Sequence, residues 1–470
     1  MPSYPMLPLG SRFTTTLQTY ARDPGLPFDQ ALSEEVIQHL ADEEDLHFGQ
    51  GEHDIYTPAL TLWAFLAQVL SAGKSCVGAV ARVMVLRIAL ELPPCSANTG
   101  AYCKARAKLS ERFLQRLTYS VGEAVEDQAP AAWRWHNRRT LLIDGCEITA
   151  PDTEANQRAY PQPSTQKPGL GFPMMRLVVI LAFATGALLG AAWGPYQGKE
   201  SGETALLRQL LERFRAGDLA VADRYFCSYW MVALLVLLGV DVAFRLHQRR
   251  RYDFRRGQHL GPDDHVVSWG KPDRPEWMDP ELYEAMPETL TLREVCFRVT
   301  QPGYRTREII VATTLCAAEQ YAKEDIADLY HLRWHVELDI RAIKQTLQMD
   351  MLSCKTPALL RRELWVHLLG YNLIRKVMAQ AAWVRGLQPR QVSFAGAVQI
   401  LEAFRWFLLC GPEERRQFVL AVVVMAIGTH KVGGRPGRCE PRRVKRRPKG
   451  YGWLTKPRAE ARAELLNQNQ

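Results

Sequence analysis

At 470 residues, with 47% hydrophobic and 23% charged side chains, the chain is long enough for two to four domains with sizeable cores, which excludes a largely disordered protein. The formal charge of +9 points to a polyanionic partner, because such a field raises the local concentration of phosphates and speeds encounter. Ten cysteines with no C-x-x-C pair, and no histidine at zinc-finger spacing from them, exclude a structural zinc site and a disulfide framework; reduced, scattered thiols fit a cytoplasmic protein.

In chain order, the acidic first sixty residues begin with "MPSYPMLPLGSRF", which lacks the charged start and apolar core of a signal peptide. From about Leu32 to Leu117 the pattern is helical, within a helical N-terminal domain spanning 1–135. There "SCVGAVARVMVLRIALEL", "PPCSANTG" and "AYCKARAKLSERFLQRL" read as helix, turn, helix. Lys104, Arg106, Lys108 and Arg112 lie near the core face of the second helix, either as a DNA groove-reading set or as the solvated basic face of a helical hairpin. "SAGKS" is not a phosphate loop, since Gln68 stands where the upstream glycine is required.

After "WRWHNRRT" the pattern changes to strands. "TLLIDGCEIT" is a buried strand carrying Asp144, and "MRLVVILAF" with "ALLGAAWGP" a hairpin. "GETALLRQLLERF" is an amphipathic helix, "DLAVADRYF" a strand carrying Asp223, "CSYWMVALLVLLG" a buried helix and "DVAFRLHQR" a further strand. The order β-β-β-α-β-α-β gives one core and a mixed α/β sheet. The apolar runs from Leu177 and Met231 are a core hairpin and a short buried helix rather than membrane spans, being interrupted or far shorter than the ~20 residues a bilayer needs. From about 249 to 319 the composition turns polar and Pro-rich, an insertion with its own strands, after which a helix from about Lys323 to Leu347 resumes the main fold. Further helices follow to about Ala426. Between His430 and Arg458 the chain has about eleven basic residues against one Glu; with Gly and Pro throughout, this stretch is a nucleic-acid arm or a solvated tail.

The helix holding "YHLRWHVELDIRAIK" sorts its residues by face. At 100° per residue, Leu329, Leu332, Val336, Ile340, Ile343 and Leu347 fall within roughly an 80° arc, and Tyr330, Arg333, Glu337 and Lys344 within roughly a 60° arc beside it. His331, His335 and Asp339 fall on the far side. Asp144 and Asp223 end buried strands, where an ionised carboxylate is costly without compensation. Three such acids within ~4 Å of one another repel by ~1 to 4 kcal/mol per pair, so Asp144, Asp223 and Glu337 ionise together only around a cation. Oxygen-only ligands suit Mg²⁺ or Mn²⁺, and two such ions would activate a water or 3′ hydroxyl and stabilise the leaving oxygen.

A strand Asp, a second Asp in "ADRYF", and Y-x-x-R-x-x-x-E-x-x-x-x-x-x-K met by Tyr330, Arg333, Glu337 and Lys344 resemble the bacterial insertion-sequence DDE transposases with the YREK signature, the insertion-sequence-four family. "DGCEITAPDTEANQ", "QKPGLGFP", "GDLAVADRYF", "ATTL" and "EPRRVKRRPK" are similar too. The resemblance implies a ribonuclease-H-like catalytic domain over 136–380, with its strand-rich insertion at about 249–319, followed by a helical C-terminal region with a basic tail over 381–470. It implies cut-and-paste transposition of an insertion sequence at terminal inverted repeats, with Asp144, Asp223 and Glu337 as the metal-binding catalytic triad. Tyr330, Arg333 and Lys344 would then hold phosphates of the transposon end, and Trp269 or Trp277 would either stack on a flipped base during hairpin formation or pack the strands of the insertion. The implied partners are double-stranded DNA, as transposon ends and target, and a second copy of the chain in the synaptic complex; no membrane is involved and the location is cytoplasmic, at the nucleoid. Two rivals remain on the residues: a ribonuclease-H-like nuclease or resolvase, which would not need Tyr330, Arg333 and Lys344 on one edge, and an inactive DNA-binding relative, against which the three acids argue.

Overall fold

A computed structural model describes residues 34–467 apart from 52–53, 90, 299–307, 411–412 and 434–452. Most of the basic tail, the first thirty-three residues and residues 299–307 of the insertion therefore lie outside the described residues. The chain divides into two compact units.

The first unit takes the chain up to Leu142, Val179–Ala191 and His335–Val432. Its N-terminal part is helical, as expected: Glu34–Glu43, Pro58–Val69, Cys76–Ala89, Gly100–Lys108 and Glu111–Asp127. The single helix expected from Ala101 to Leu117 is two, because Leu109 is extended and the Ser110 hydroxyl accepts from the Phe113 amide at 3.0 Å, starting a new helix at Glu111. The unit's longest helix, Pro357–Val384, is buried along most of its length. Within it Asn372 is fully buried and uses both ends of its amide, accepting from the Leu188 amide at 2.7 Å and donating to the carbonyls of Leu188 and Thr118 at 2.9 Å. Gly122 permits the same close approach, since a Cβ there would stand 2.1 Å from the Leu188 carbonyl oxygen.

Glu126 is fully buried; Thr185 donates to one of its carboxylate oxygens at 2.8 Å and the other has no hydrogen-bond partner among the described residues. Burial pushes this carboxyl up from 4.5 to about 7, against the Thr185 hydroxyl and the charges of Arg134 and Arg139. Below 4.5 both folded and unfolded chains hold the proton; between 4.5 and 7 the unfolded chain releases it first. The group therefore costs the first unit stability as pH rises through that window, on the order of 3 kcal/mol in all. In Glu126→Gln this slope should vanish, read as a thermal midpoint whose dependence on pH between 4.5 and 7 flattens relative to wild type.

The second unit, Ile143–Val178, Ala192–Trp334 and Gly433–Gln470, is built on strands β1 Thr140–Thr149, β2 Met174–Ala182, β3 Leu188–Pro195, β4 Leu219–Ala222, β5 Asp241–Arg245, β6 Gln258–Gly261, β7 Asp264–Gly270, β8 Thr289–Arg298 and β9 Glu308–Thr313. Residues 140–142, 179–182 and 188–191 of β1 to β3 are grouped with the first unit. The strands form one mixed sheet in the order β3-β2-β1-β4-β5-β9-β8-β7-β6. Leu141 to Ile143 and all of β4 are fully buried, as befits central strands covered on both faces. β4 runs parallel to β5, whereas β5 to β9 and the ladder out to β6 are antiparallel. The insertion does carry strands of its own, and they do not stand apart: Ala243 and Phe244 of β5 pair with Thr313 and Ala312 of β9, so the inserted strands extend the main sheet and cover an edge that would otherwise be open. Among the described residues no helix is long and apolar enough to cross a membrane.

Candidate active site

Asp144 is the fifth residue of β1, where burial first relaxes after four buried positions. One carboxylate oxygen accepts from the Gly145 amide at 2.9 Å; the other takes Arg333 at 3.2 Å, in a pair whose side chains are 19% and 15% exposed. Asp223 follows directly on β4, and its carboxylate accepts from the Tyr225 amide at 2.8 Å, a local turn that ends the strand and fixes the acid at its end. Tyr330 is 6% exposed. Burial pushes its phenol up to about 12, with Asp223 adding to the rise and Arg333 and Arg245 opposing it. The second unit therefore brings together Asp144, Asp223, Tyr330 and Arg333, residues separated by up to 189 positions.

The sequence reading missed a third acid here. Glu203, in the first turn of the Glu203–Arg208 helix, lies against the backbone of Gly145: a Cβ on that glycine would stand 2.4 Å from its carboxylate oxygen. Burial raises the Glu203 carboxyl above its ordinary value, and so do the charges of Asp144 and Asp223, against Arg176. Its one visible signal was an acid opening an amphipathic helix, which ordinary helix capping also explains. Among the described residues no three His, Cys, Asp or Glu side chains form a group that could hold a metal as they stand. Asp144 and Asp223 nonetheless offer the hard oxygen donors that a divalent cation of the Mg²⁺ or Mn²⁺ kind takes, with the Glu203 carboxylate against the neighbouring Gly145.

Glu337 and Lys344 are described with the first unit. The apolar stripe holds, with Leu329, Val336, Ile343 and Leu347 buried, but the uninterrupted helix does not. The chain forms Lys323–Leu332, a cap at Arg333, Trp334–Arg341 and then a π-helical turn Ala342–Thr346 that carries Lys344. Glu337 is half-buried in the middle segment. Asp339, expected on the far side, is 1% exposed and grips Arg375 and Arg390, so its charge is compensated inside the fold rather than by water.

Two further expectations are corrected. Arg106 is a core residue, 7% exposed, donating to Gln68 at 2.9 Å with its guanidinium 5.0 Å from the Phe65 ring centre, whereas Lys104 and Lys108 on the same helix are exposed, lining a cavity of about 360 Å³ with Phe48 and Tyr56. The 100° step puts residues 104 and 108 on one face and turns 106 to the other. Trp269 is 3% exposed on β7; its indole donates to Glu294 at 3.0 Å and Arg250 lies 3.5 Å from its ring centre. It is a packing residue of the sheet with no open face for a base. Trp277 is half-buried, with Arg208 at 3.8 Å from its ring centre.

Comparison with known proteins agrees with the signature. The family model described as "Transposase DDE domain" matches residues 135–373, just over half the chain. The chain is 26% identical over 356 residues to the transposase InsG for insertion sequence element IS4 of Escherichia coli, covering 75% of this chain and 77% of that protein. It is 30% identical over 92 residues to the transposase for insertion sequence element IS421 of Escherichia coli, 17% of this chain and 25% of that one. Among solved structures, the piggyBac transposase synaptic complex with hairpin DNA aligns over 87% of this chain and 85% of that one, at 10% identity and a TM-score of 0.39. With Tyr330, Arg333, Glu337 and Lys344 meeting every position of the signature, the chain belongs to the DDE transposases of the insertion-sequence-four family and is a DNA transposase.

Proposed function

We propose that this transposase excises and inserts its element by cut-and-paste chemistry at terminal inverted repeats, in a ribonuclease-H-like core, with Asp144, Asp223 and Glu337 as its catalytic carboxylates. The observation that carries the reading is the meeting of an aspartate midway along β1 and another just past the end of β4 with two members of the signature, Tyr330 and Arg333, at one place in the second unit. The run β3-β2-β1-β4-β5, with β4 and β5 parallel, supports the core assignment. When bound, a pair of Mg²⁺ or Mn²⁺ ions supplies Lewis-acid activation of the attacking oxygen and charge stabilisation at the leaving one.

The chain's own residues do the holding. Arg333 fits phosphate as a bidentate fork and Lys344 as a point charge. In the DNA-free chain Arg333 holds Asp144; an arriving phosphate competes for the same guanidinium and releases the carboxylate for its catalytic role. Lys104 and Lys108 add exposed cations on one helix face for the flanking duplex, and a second copy of the chain pairs the two ends in the synaptic complex.

The direct test is incubation of the purified protein with DNA carrying the flanking ends of its own element, with and without Mg²⁺. Cleavage at the ends and joining to a second DNA, only with Mg²⁺, is the expected result; cleavage without any joining would favour a nuclease. Removing Arg333 or Lys344 by alanine substitution should lower the log-log salt slope of end binding by about one unit each. A slope left unchanged in a filter-binding titration against salt would take that residue off the phosphates.

A further inference from the structure

Two residues beyond Glu337 lies a buried carboxylate that the reaction does not use. The segment carrying both, Trp334–Arg341, has eight residues and stands between the cap at Arg333 and the π-helical turn Ala342–Thr346. So short a helix, irregular at both ends, has few internal hydrogen bonds to fix its rotation, and its direction must be set by contacts outside it.

Asp339 provides them. Arg375 donates to one of its oxygens and Arg390 to the other, the latter at 2.7 Å, with all three side chains at most 8% exposed. Each arginine is held in turn. Arg375 donates to the Tyr371 hydroxyl at 2.8 Å, its guanidinium 5.2 and 5.3 Å from the ring centres of Tyr371 and Phe394, and Tyr371 donates to the Gly186 carbonyl at 2.8 Å. Arg390 donates to the carbonyls of Phe183 and Ala182 at 2.5 and 2.7 Å. One carboxylate thus ties the Trp334–Arg341 segment to the long helix Pro357–Val384, to the chain at Arg390 and to the turn between β2 and β3.

We propose that Asp339 is a positioning residue of the transposase, which fixes the rotation of its short helix and so aims Glu337. The two residues are 200° apart around the helix, so anchoring Asp339 inward holds Glu337 to the opposite side. A well-packed apolar side chain would fill this site at no desolvation cost, so the buried charge serves geometry better than stability. The proposal rests on the reading of Glu337 as a catalytic carboxylate.

The test uses the full-length protein and its end DNA. In Asp339→Asn, amide hydrogen exchange over residues 334–346 should quicken about tenfold or more, while that of Pro357–Val384 stays at the wild-type rate. Mg²⁺-dependent cleavage at saturating DNA should fall by about 10- to 100-fold, with end affinity within about threefold of wild type. Because Mg²⁺ demands near-ideal octahedral geometry, part of the lost rate should return in Mn²⁺. Faster exchange with unchanged cleavage, or faster exchange spread through Pro357–Val384 as well, would overturn the positioning role. Should Asp339→Asn fail to fold, Arg390→Lys removes one half of the clamp while Arg375 keeps the other, and exchange and cleavage then decide the matter in the same way. A Glu337→Gln protein that cleaves normally would sink the reading of Glu337, while the exchange result would still report on the clamp.

Discussion

Asp144→Asn, Asp223→Asn and Glu337→Gln should each reduce Mg²⁺-dependent cleavage of end DNA by at least about a thousandfold, roughly 4 kcal/mol of transition-state stabilisation, with end binding within about threefold of wild type. Each substitution keeps the size of the side chain and removes the negative charge that holds a hard cation. The neighbours give each variant a further signature. Asp144→Asn weakens the carboxylate partner of Arg333 and leaves that guanidinium more available to phosphate, so end affinity should hold or rise. Asp223→Asn relieves one of the negative charges that raise the Glu203 carboxyl, so the metal-free thermal midpoint should not fall. Gel-shift and cleavage assays on the same preparations separate the two quantities. Loss of binding in all three variants would mean that these acids hold the fold rather than the reaction.

Asp264→Ala should destabilise the second unit by about 3–5 kcal/mol, the range expected when one partner of a buried ion pair is removed and the other is left charged in the interior. Arg293 on β8 and Asp264 on β7 have side chains 1% and 5% exposed and meet in a two-pronged pair at 2.8 and 2.5 Å. Arg293 also donates to the Tyr321 carbonyl at 2.7 Å, just ahead of the Lys323–Leu332 helix that carries Tyr330. The pair therefore secures both the inserted strands and the start of a helix of the site, and cleavage should weaken along with stability. Replacing both partners, Asp264→Leu with Arg293→Met, should recover most of the loss, because the desolvated charge is gone together with its partner. Urea denaturation gives the comparison; a loss below about 1 kcal/mol in Asp264→Ala would mean that water or another group already shares the charge of Arg293.

Local rules were enough for several elements. Continuous apolar runs in "TLLI" and "LAVA" marked β1 and β4 and placed an aspartate within or just beyond each. The apolar stretch from Leu177 folds as a hairpin because "ATG" supplies a turn between two β-rich halves. The 3.6-residue period found the buried stripe Leu329, Val336, Ile343 and Leu347 even though the helix is broken at Arg333 and widened in hydrogen-bond span at Ala342–Thr346. A stripe needs only side-chain spacing, which tolerates small changes in backbone pitch.

What escaped those rules were partners far away in the chain. Asp339 reads as a solvent-side acid until Arg375 and Arg390 are brought to it, and Arg106 reads as a DNA contact until Gln68, Phe65 and Tyr102 enclose it. Trp269 reads as an exposed aromatic until Glu294 and Arg250 meet it, and Glu203 as a helix cap until Gly145 opens the space beside Asp144. The sequence by itself determined which stretches are apolar, the aspartates within or just beyond two buried strands, and the four residues of the signature, because each depends on neighbours within a few turns of chain. Only the tertiary structure decided which charges are compensated inside the fold and which face solvent, because a charge is stabilised by whatever lies within a few ångströms of it, and folding sets that neighbourhood without regard to distance along the chain.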